Sequence, residues 1–480
     1  MELAIRTGKN LFYKITGELA TRILAFLFYA IIARKLGTAD FGKNSFAYSF
    51  TIICALLVDM GFNSILIRDI SQHKHNIAKY VGNISFAKLI SSVVSFFIVL
   101  FAGYLTGYYK NYGRAILLMA VVSILSGWID YIIAIFNAFE KMNYEALLKF
   151  CNRAFLLIFG VAALLLNGGL YGLLEAMIFA SVISVVFGLF MVRIKITPFK
   201  LNNDIFFIKK IFIIALPVFL STLFMSAYHN IGTILMPAMG CSDIQIGWFS
   251  PGIKLIEITA LLPVLFVSAS FPVLSDFFGR SENLFADSCR YIVKFLFVAG
   301  LPIAILGVLF SKEIVLFIFG SQYLPTGVIF SILLWSVPLV FVNHALMQIF
   351  IINHNQKITT YTAISAFLIN FILNILLIPK FGYIGASISF VITETVLFLE
   401  NMVLSSYYKV AIDWGSWIWK IIIVAVVSAA IIYGLPISLV VKIMLLFIVN
   451  MAGFWFLRIL TDKDISFIKN ILVNIKMRAA

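Results

Sequence analysis

The sequence predicts an all-α integral membrane protein, and three observations lead to this prediction. Hydrophobic residues make up 62% of the 480 residues and charged residues only 12%, whereas soluble proteins carry about 25% charged residues. The mean hydropathy is +1.06. Apolar runs of the roughly 17–25 residues that cross a bilayer as a helix recur along the whole chain. These features are typical of a protein that crosses a membrane many times.

The apolar runs divide the chain into fourteen predicted spanning helices. The connections between them are too short for a soluble domain, and the longest polar stretch is around residues 193–209. The predicted spans cover approximately residues 11–33, 45–67, 84–107, 115–138, 145–166, 170–192, 209–233, 247–272, 289–310, 326–351, 360–378, 383–405, 417–436 and 439–459.

The distribution of lysine and arginine predicts the orientation of these spans. With the N-terminus inside, the inside segments carry 22 basic residues and the outside segments carry 8. Short cytoplasmic loops of membrane proteins are enriched in Lys and Arg. The sequence therefore predicts that both termini are cytoplasmic, which requires an even number of spans.

Two pairs of similar segments predict an internal repeat. LGTADFGKNSFAYSF resembles MGCSDIQIGWFSPGIK, and NGGLYGLLEAMIFASVIS resembles PKFGYIGASISFVITETV, at offsets of about 200–213 residues. Internal repeats are common in transporters, which place their sites between the repeats. We expect an N-terminal lobe of helices 1–6 in residues 1–200 and a C-terminal lobe of helices 7–12 in residues 201–408. Helices 13–14 and a cytoplasmic tail would follow in residues 409–480.

Several kinds of chemistry are not indicated by the sequence. It has no Walker A loop and no dinucleotide fingerprint, its five histidines form no HExxH pattern, and its four cysteines are scattered without a CxxC pair. We therefore expect no ATP hydrolysis, no cofactor and no metal. The net charge of +15 is explained by basic loops that set topology, so we expect no nucleic-acid partner.

Charged residues inside the predicted spans are the candidate functional residues. Glu18 and Arg22 stand four apart within ITGELATRILAFLFYAII, Asp59 lies in the second span, and Lys254 and Glu257 lie in the eighth. Each such charge costs at least about 2.5–3.5 kcal/mol at the bilayer centre, so these residues usually face a hydrated cavity or a relay. Arginine and lysine there suit an anionic substrate. We assign Arg22 and Lys254 to substrate binding, and Glu18, Asp59 and Glu257 to ion coupling or to the cavity.

Other charged residues have alternative explanations. Asp130 in the fourth span is equally well explained as a structural partner or as a functional group. Lys149 lies near the predicted start of the fifth span, where a lysine can extend its ammonium to the membrane surface.

Five segments together carry a resemblance to a known family. They are ARKLGTADFGKNSFAYSF, IFNAFEKMNYEALLKFCNR, IGWFSPGIKLIE, SFPVLSDF and NFILNILLIPKFGYIGASISFVITE. In order and spacing they resemble the polysaccharide-export flippases of the multidrug/oligosaccharidyl-lipid/polysaccharide (MOP) superfamily, from about residue 8 to residue 405. The resemblance implies fourteen helices, in two six-helix lobes plus two.

The resemblance also implies a function. These proteins move polyprenyl-pyrophosphate-linked oligosaccharides, the repeat units of O-antigen, capsule or exopolysaccharide, to the outer leaflet of the plasma membrane by alternating access. Related lipid II flippases carry cavity arginines on helices 1 and 8, in contexts similar to TRIL and GIKLIE here, which points to Arg22 and Lys254. This chain has lysine where that subgroup has arginine on helix 8. The implied partners are the lipid-linked oligosaccharide, membrane lipid, a polysaccharide polymerase and glycosyltransferases.

Three alternatives remain open from the sequence. A drug or cation antiporter of the same superfamily would rely on carboxylates rather than on cations. A membrane enzyme of polysaccharide assembly, a polymerase or a ligase, needs a large outside loop, and none here exceeds about a dozen residues. A scaffolding membrane protein has no need for paired charges inside the membrane. We therefore predict a transporter rather than an enzyme.

Overall fold

A computed structural model describes residues 2–73, 76–196, 201–353, 355–407, 417–433, 435, 439–457 and 459. Within these ranges the chain is almost entirely helical and contains no β-strand. The α-helices are α1 Glu2–Asp59, α2 Phe62–Gln72, α3 Ile77–Leu105, α4 Tyr109–Ala138, α5 Met142–Leu165, α6 Gly169–Lys195, α7 Ile205–Ala238, α8 Asp243–Thr259, α9 Leu261–Arg280, α10 Glu282–Leu309, α11 Ser311–Phe319, α12 Leu324–Leu333, α13 Val337–Ile352, α14 Gln356–Phe381, α15 Tyr383–Tyr407, α16 Trp417–Tyr433 and α17 Leu439–Phe456.

Where the structure describes them, the fourteen predicted spans are largely helical, and the second contains the end of α1 and the start of α2. The eighth corresponds to α8 and α9 together, and the tenth to α12 and α13, which a 3-10 turn at Leu334–Ser336 joins. The short helix α11 was not among the predicted spans. Eleven helical segments of the described residues are long and apolar enough to cross a membrane. The prediction of an all-α membrane protein is confirmed.

Two glycines divide the first long helical region. Gly37 lies inside α1 with φ 75° and ψ 171°, and Gly61 separates α1 from α2 with φ 77°. Side-chain-bearing residues rarely adopt these left-handed angles, because the Cβ atom then clashes with the backbone. The kink at Gly37 is the turn that the sequence placed between its first two spans.

Contacts divide the described chain into two compact units. The first contains residues 2–237 and 242–247, and the second contains residues 238–241 and 248–459. In the first unit, α1 packs against α4 and α5, and α5 and α4 both pack against α6. Most of α7 also belongs to this unit, where its Ala215 and Phe212 lie against Gly61 and Phe62. In the second unit, α13 packs against α9, α10 and α15, and α14 packs along α15.

Within the first unit, residues 38–42 and 243–247, which belong to the two repeated glycine-containing segments, lie against each other. A Cβ atom at Gly42 would lie 1.9 Å from the carbonyl oxygen of Asp243, and one at Gly247 would lie 2.0 Å from that of Thr38. The Tyr112 hydroxyl donates a hydrogen bond to Asp243 Oδ1. Glycine at both positions allows two backbones to approach more closely than any side chain permits.

Candidate functional site

A cavity of about 200 Å³ lies within the first unit, among α1, α4 and α5. This volume is below the about 300–1,000 Å³ typical of pockets for whole ligands. The cavity therefore fits a group no larger than about one sugar phosphate, and an oligosaccharide would extend beyond it. Its lining residues are Glu18, Thr21, Arg22, Ala25, Ile129, Asp130, Ile133, Lys149, Asn152 and Arg153.

Three cations line the cavity, Arg22, Lys149 and Arg153, and Glu18 contacts the first two of them. Its Oε1 accepts a hydrogen bond from Arg22 Nε at 2.8 Å, and its Oε2 lies 3.5 Å from Lys149 Nζ. Lys149 also contacts Glu145 Oε1 at 2.7 Å, behind the cavity wall. The buried Glu145 Oε2 has no hydrogen-bond partner among the described residues. This chain of opposite charges ties α1 to α5 and holds both cations in place.

The contact with Glu18 leaves part of the Arg22 side chain available. Only Nε is engaged in the described structure, and 41% of the Arg22 side chain is exposed. The two terminal nitrogens of a guanidinium carry four N–H donors in a planar fork that matches phosphate or carboxylate oxygens. Arg22 can therefore bind an anion without first losing Glu18.

Arg153 and Asp130 line the same cavity and are both exposed to it. Neither makes an ion pair within 4 Å in the described part of the chain, although Arg153 and Lys149 are within electrostatic range of Asp130. Beside Arg153, Asn152 accepts a hydrogen bond from the Ser184 hydroxyl at its Oδ1, at 3.2 Å. This contact leaves the two amide N–H groups of Asn152 for the cavity.

Asp59 lies apart from the lining residues and has its own partner. Lys88 on α3 has no exposed side-chain surface, and its Nζ lies 3.1 Å from Asp59 Oδ1. The Asp59 carboxylate also accepts the backbone N–H groups of Gly61 and Asn63, each at 3.2 Å. The pair closes the α1–α2 turn against α3, and the Lys88 ammonium lies 5.0 Å from the centre of the Tyr131 ring.

The second unit holds the other predicted pair. Lys254 Nζ lies 2.6 Å from Glu257 Oε2 on α8, with 37% and 44% of the two side chains exposed. A separate buried network joins α13 to α15, where Asn343 Nδ2 donates to Glu394 Oε2 at 2.9 Å and Asn401 Nδ2 donates to Asn343 Oδ1 at 3.1 Å.

The structure thus brings together Glu18 with Arg22, and Lys254 with Glu257, as their i, i+4 and i, i+3 spacings indicate. The structure pairs the ammonium of Lys149 with Glu145 and Glu18 at the cavity, a role that the sequence alone did not assign to it. The assignment of site residues did not include Lys149, Asn152 or Arg153.

A signal for these residues was present in the sequence. Glu145, Lys149, Asn152 and Arg153 recur at i, i+4, i+7 and i+8 on a predominantly apolar helix. That spacing places all four on one helical face. A polar stripe on a spanning helix indicates a face turned away from lipid.

The described residues contain no group of three or more His, Cys, Asp or Glu side chains placed to hold a metal ion. All four cysteines are free thiols, and Cys54, Cys241 and Cys289 are buried.

Comparisons with known proteins agree with this architecture. A family model described as "Polysaccharide biosynthesis protein" matches residues 7–278, and a second model, MatE, matches residues 217–376. The chain belongs to the polysaccharide biosynthesis protein family. Together with the relatives and structures named below, these matches confirm the resemblance to the MOP superfamily and the prediction of a transporter.

Individual relatives extend the comparison. The "Putative O-antigen transporter" of Shigella flexneri is 24% identical over 338 residues, which are 66% of this chain and 77% of that protein. The "Probable low-salt glycan biosynthesis flippase Agl15" of Haloferax volcanii is 22% identical over 393 residues, 80% of this chain and 79% of that protein. The inward closed structure of the lipid II flippase MurJ has a TM-score of 0.74 at 15% identity, over 92% of this chain and 99% of that one. The shared fold is that of a two-lobe, all-helical transporter.

Proposed function

We propose that this protein flips a polyprenyl-pyrophosphate-linked oligosaccharide from the cytoplasmic to the outer leaflet of the plasma membrane by alternating access. Both termini are cytoplasmic in this proposal. Glycosyltransferases supply the lipid-linked repeat unit, and a polymerase consumes it after transfer. The O-antigen transporter and the glycan flippase among the relatives support this class of substrate.

One observation carries the proposal, which is the cavity containing Arg22, Lys149 and Arg153 among otherwise apolar helices. A pyrophosphate bears charges that are expensive to move through hydrocarbon. Fixed guanidinium and ammonium groups replace the water that such a group loses. The terminal nitrogens of Arg22 bind the pyrophosphate, while the lipid tail stays in the surrounding bilayer.

The remaining site residues have supporting roles in this proposal. Lys254 supplies a further cation for the pyrophosphate or for acidic sugars, as a point charge rather than a bidentate fork. Glu18 and Glu257 hold Arg22 and Lys254 in position through the ion pairs described above. Asp59, with Lys88, couples the α1–α2 turn to α3 during the conformational cycle.

A drug or cation antiporter is the second candidate function. The match of residues 217–376 to the MatE model and the presence of Glu18 and Asp130 in the cavity favour it. Three cations line the same cavity and would repel a cationic drug. For this reason the flippase is the better-supported function.

A genetic export assay separates the two. The gene is deleted, and the strain is complemented with wild type, with Arg22→Ala, or with Arg193→Ala as a matched control at an exposed arginine of α6. We expect the deletion to abolish surface glycan and to accumulate lipid-linked repeat units inside. Wild type and Arg193→Ala restore export, and Arg22→Ala reduces it at least about tenfold because a charge-assisted contact is lost.

Immunoblotting of membranes must find Arg22→Ala at the wild-type level. Normal surface glycan in the deletion strain, with new sensitivity to cationic drugs, would establish the antiporter instead. Full export by the Arg22→Ala variant would show that Arg22 does not bind the substrate.

A further inference from the structure

The three cavity cations differ in how far their charge is already compensated. Glu18 contacts Arg22 at 2.8 Å, and Lys149 lies between Glu145 at 2.7 Å and Glu18 at 3.5 Å. Arg153 contacts no carboxylate within 4 Å in the described residues, and it is exposed to the cavity. Its five N–H donors are therefore available to an anion in the cavity.

Asp130 is the matching carboxylate, and the charges of Lys88, Arg153 and Lys149 act on it without direct contact in the described residues. It faces the same cavity from α4 and makes no hydrogen bond or ion pair within the described part of the chain. Opposite charges 4 Å apart near a protein surface attract each other by about 4 kcal/mol, so a ligand that offers both kinds of partner gains from both residues. Arg153 and Asp130 line the same cavity without an ion pair within 4 Å among the described residues, so a group that enters the cavity can contact both.

The ligand that satisfies both residues must carry an anion next to hydrogen-bond donors. A phosphate alone satisfies Arg153 and is repelled by Asp130. A simple cation satisfies Asp130 and is repelled by Arg153. A sugar bonded to a phosphate satisfies both, because its phosphate oxygens accept from Arg153 and its hydroxyls donate to the carboxylate. The volume of about 200 Å³ suits a single glycosyl phosphate.

We propose that Arg153, Asn152 and Asp130 form a subsite for the glycosyl-phosphate end of the substrate. Arg153 binds two phosphate oxygens in a bidentate contact, and the Asn152 amide, oriented by Ser184 on α6, donates to the same phosphate. Asp130 accepts hydrogen bonds from hydroxyls of the first sugar. The subsite rests on the proposed flippase function and adds to Arg22 the residues that distinguish a sugar-linked pyrophosphate from pyrophosphate alone.

Ligand-dependent thermal unfolding of the purified full-length protein in detergent tests the subsite. The probes are glucose 1-phosphate, galactose 1-phosphate, N-acetylglucosamine 1-phosphate, inorganic phosphate and glucose, at matched ionic strength. A ligand that binds only the folded state raises the unfolding midpoint according to its affinity. For wild type, we expect at least one sugar phosphate to bind more tightly than both inorganic phosphate and glucose.

Three variants separate the roles of the two charged residues. Arg153→Gln weakens the binding of sugar phosphate and of phosphate at least about tenfold. Arg153→Lys keeps the charge but loses the bidentate fork, so its affinities lie between those of Arg153→Gln and wild type. Asp130→Asn weakens the sugar phosphate but leaves phosphate unchanged or tighter, because a repelling charge is removed. Arg193→Gln, at an exposed position outside the cavity, binds all probes as wild type does.

Equal binding of sugar phosphates and phosphate by wild type would overturn the subsite. So would wild-type affinity in both Arg153 variants, or an unchanged preference in Asp130→Asn. The export assay tests the flippase proposal independently of the subsite. If wild type restores export while the subsite predictions fail, the subsite is wrong and the flippase stands. If wild type does not restore export, the flippase proposal itself fails.

Discussion

Lys88 lies in an environment that is unusual for a lysine. Its side chain is completely buried, and its Nζ lies 3.1 Å from Asp59 Oδ1. Removing one partner of a buried ion pair leaves the other without compensation, at a cost of about 3–5 kcal/mol. The Asp59 side chain is 27% exposed, so water still stabilises part of its charge. We therefore expect the free energy of unfolding to fall by an amount near the lower end of that range.

This expectation can be measured by thermal unfolding in detergent. Lys88→Met lowers the midpoint by several degrees relative to wild type, and Lys110→Met, at an exposed lysine, serves as the matched control. The double variant Lys88→Met with Asp59→Asn recovers part of the loss, because no isolated charge remains. Equal midpoints for Lys88→Met and Lys110→Met would show that the pair contributes no stability.

At the level of elements, the close approach of residues 38–42 to residues 243–247 depends on two glycines. A Cβ atom at Gly42 or Gly247 would lie about 2 Å from a carbonyl oxygen of the facing segment. No rotamer relieves such a clash, because both atoms are fixed to the backbone. The segments would have to separate, and the Tyr112–Asp243 hydrogen bond would be strained with them.

Gly42→Ala and Gly247→Ala are therefore each expected to lower the unfolding midpoint and the yield of folded protein in the membrane. The control is Gly172→Ala in α6, where an added Cβ meets no atom within 4 Å. That substitution is neutral or stabilising by about 0.5–1 kcal/mol, since alanine favours a helix. A Gly247→Ala protein that melts at or above the Gly172→Ala midpoint contradicts the packing described here.

The helix α5 illustrates how far periodicity alone can predict a site. Its polar residues at 145, 149, 152 and 153 define one face, and this much is readable from the sequence. The sequence pattern does not show which other helices that face contacts. Glu18, the partner of Lys149, is 131 residues away in the chain, and only the packing of α1 against α5 brings the two together.

For the molecule as a whole, the distribution of basic residues predicts the membrane orientation. Asn111 and Asn202 are both exposed, near the start of α4 and just before α7. With both termini cytoplasmic, Asn111 faces outside and Asn202 faces the cytoplasm. In a variant with its four native cysteines replaced, we expect a membrane-impermeant maleimide to label Asn111→Cys in intact cells and Asn202→Cys only after permeabilisation. The reverse labelling pattern would invert the orientation.

The sequence by itself determined the all-α membrane class, the fourteen helical regions, the family and the local pairs Glu18–Arg22 and Lys254–Glu257. Hydropathy acts along a single segment, and i, i+3 and i, i+4 contacts form within one helix. Only the tertiary structure decided that Lys149, Asn152, Arg153 and Asp130 share a cavity with Arg22, and that Asp59 belongs to Lys88. These contacts join different helices, and the way helices pack is set by side-chain fit over whole faces, which no local pattern encodes.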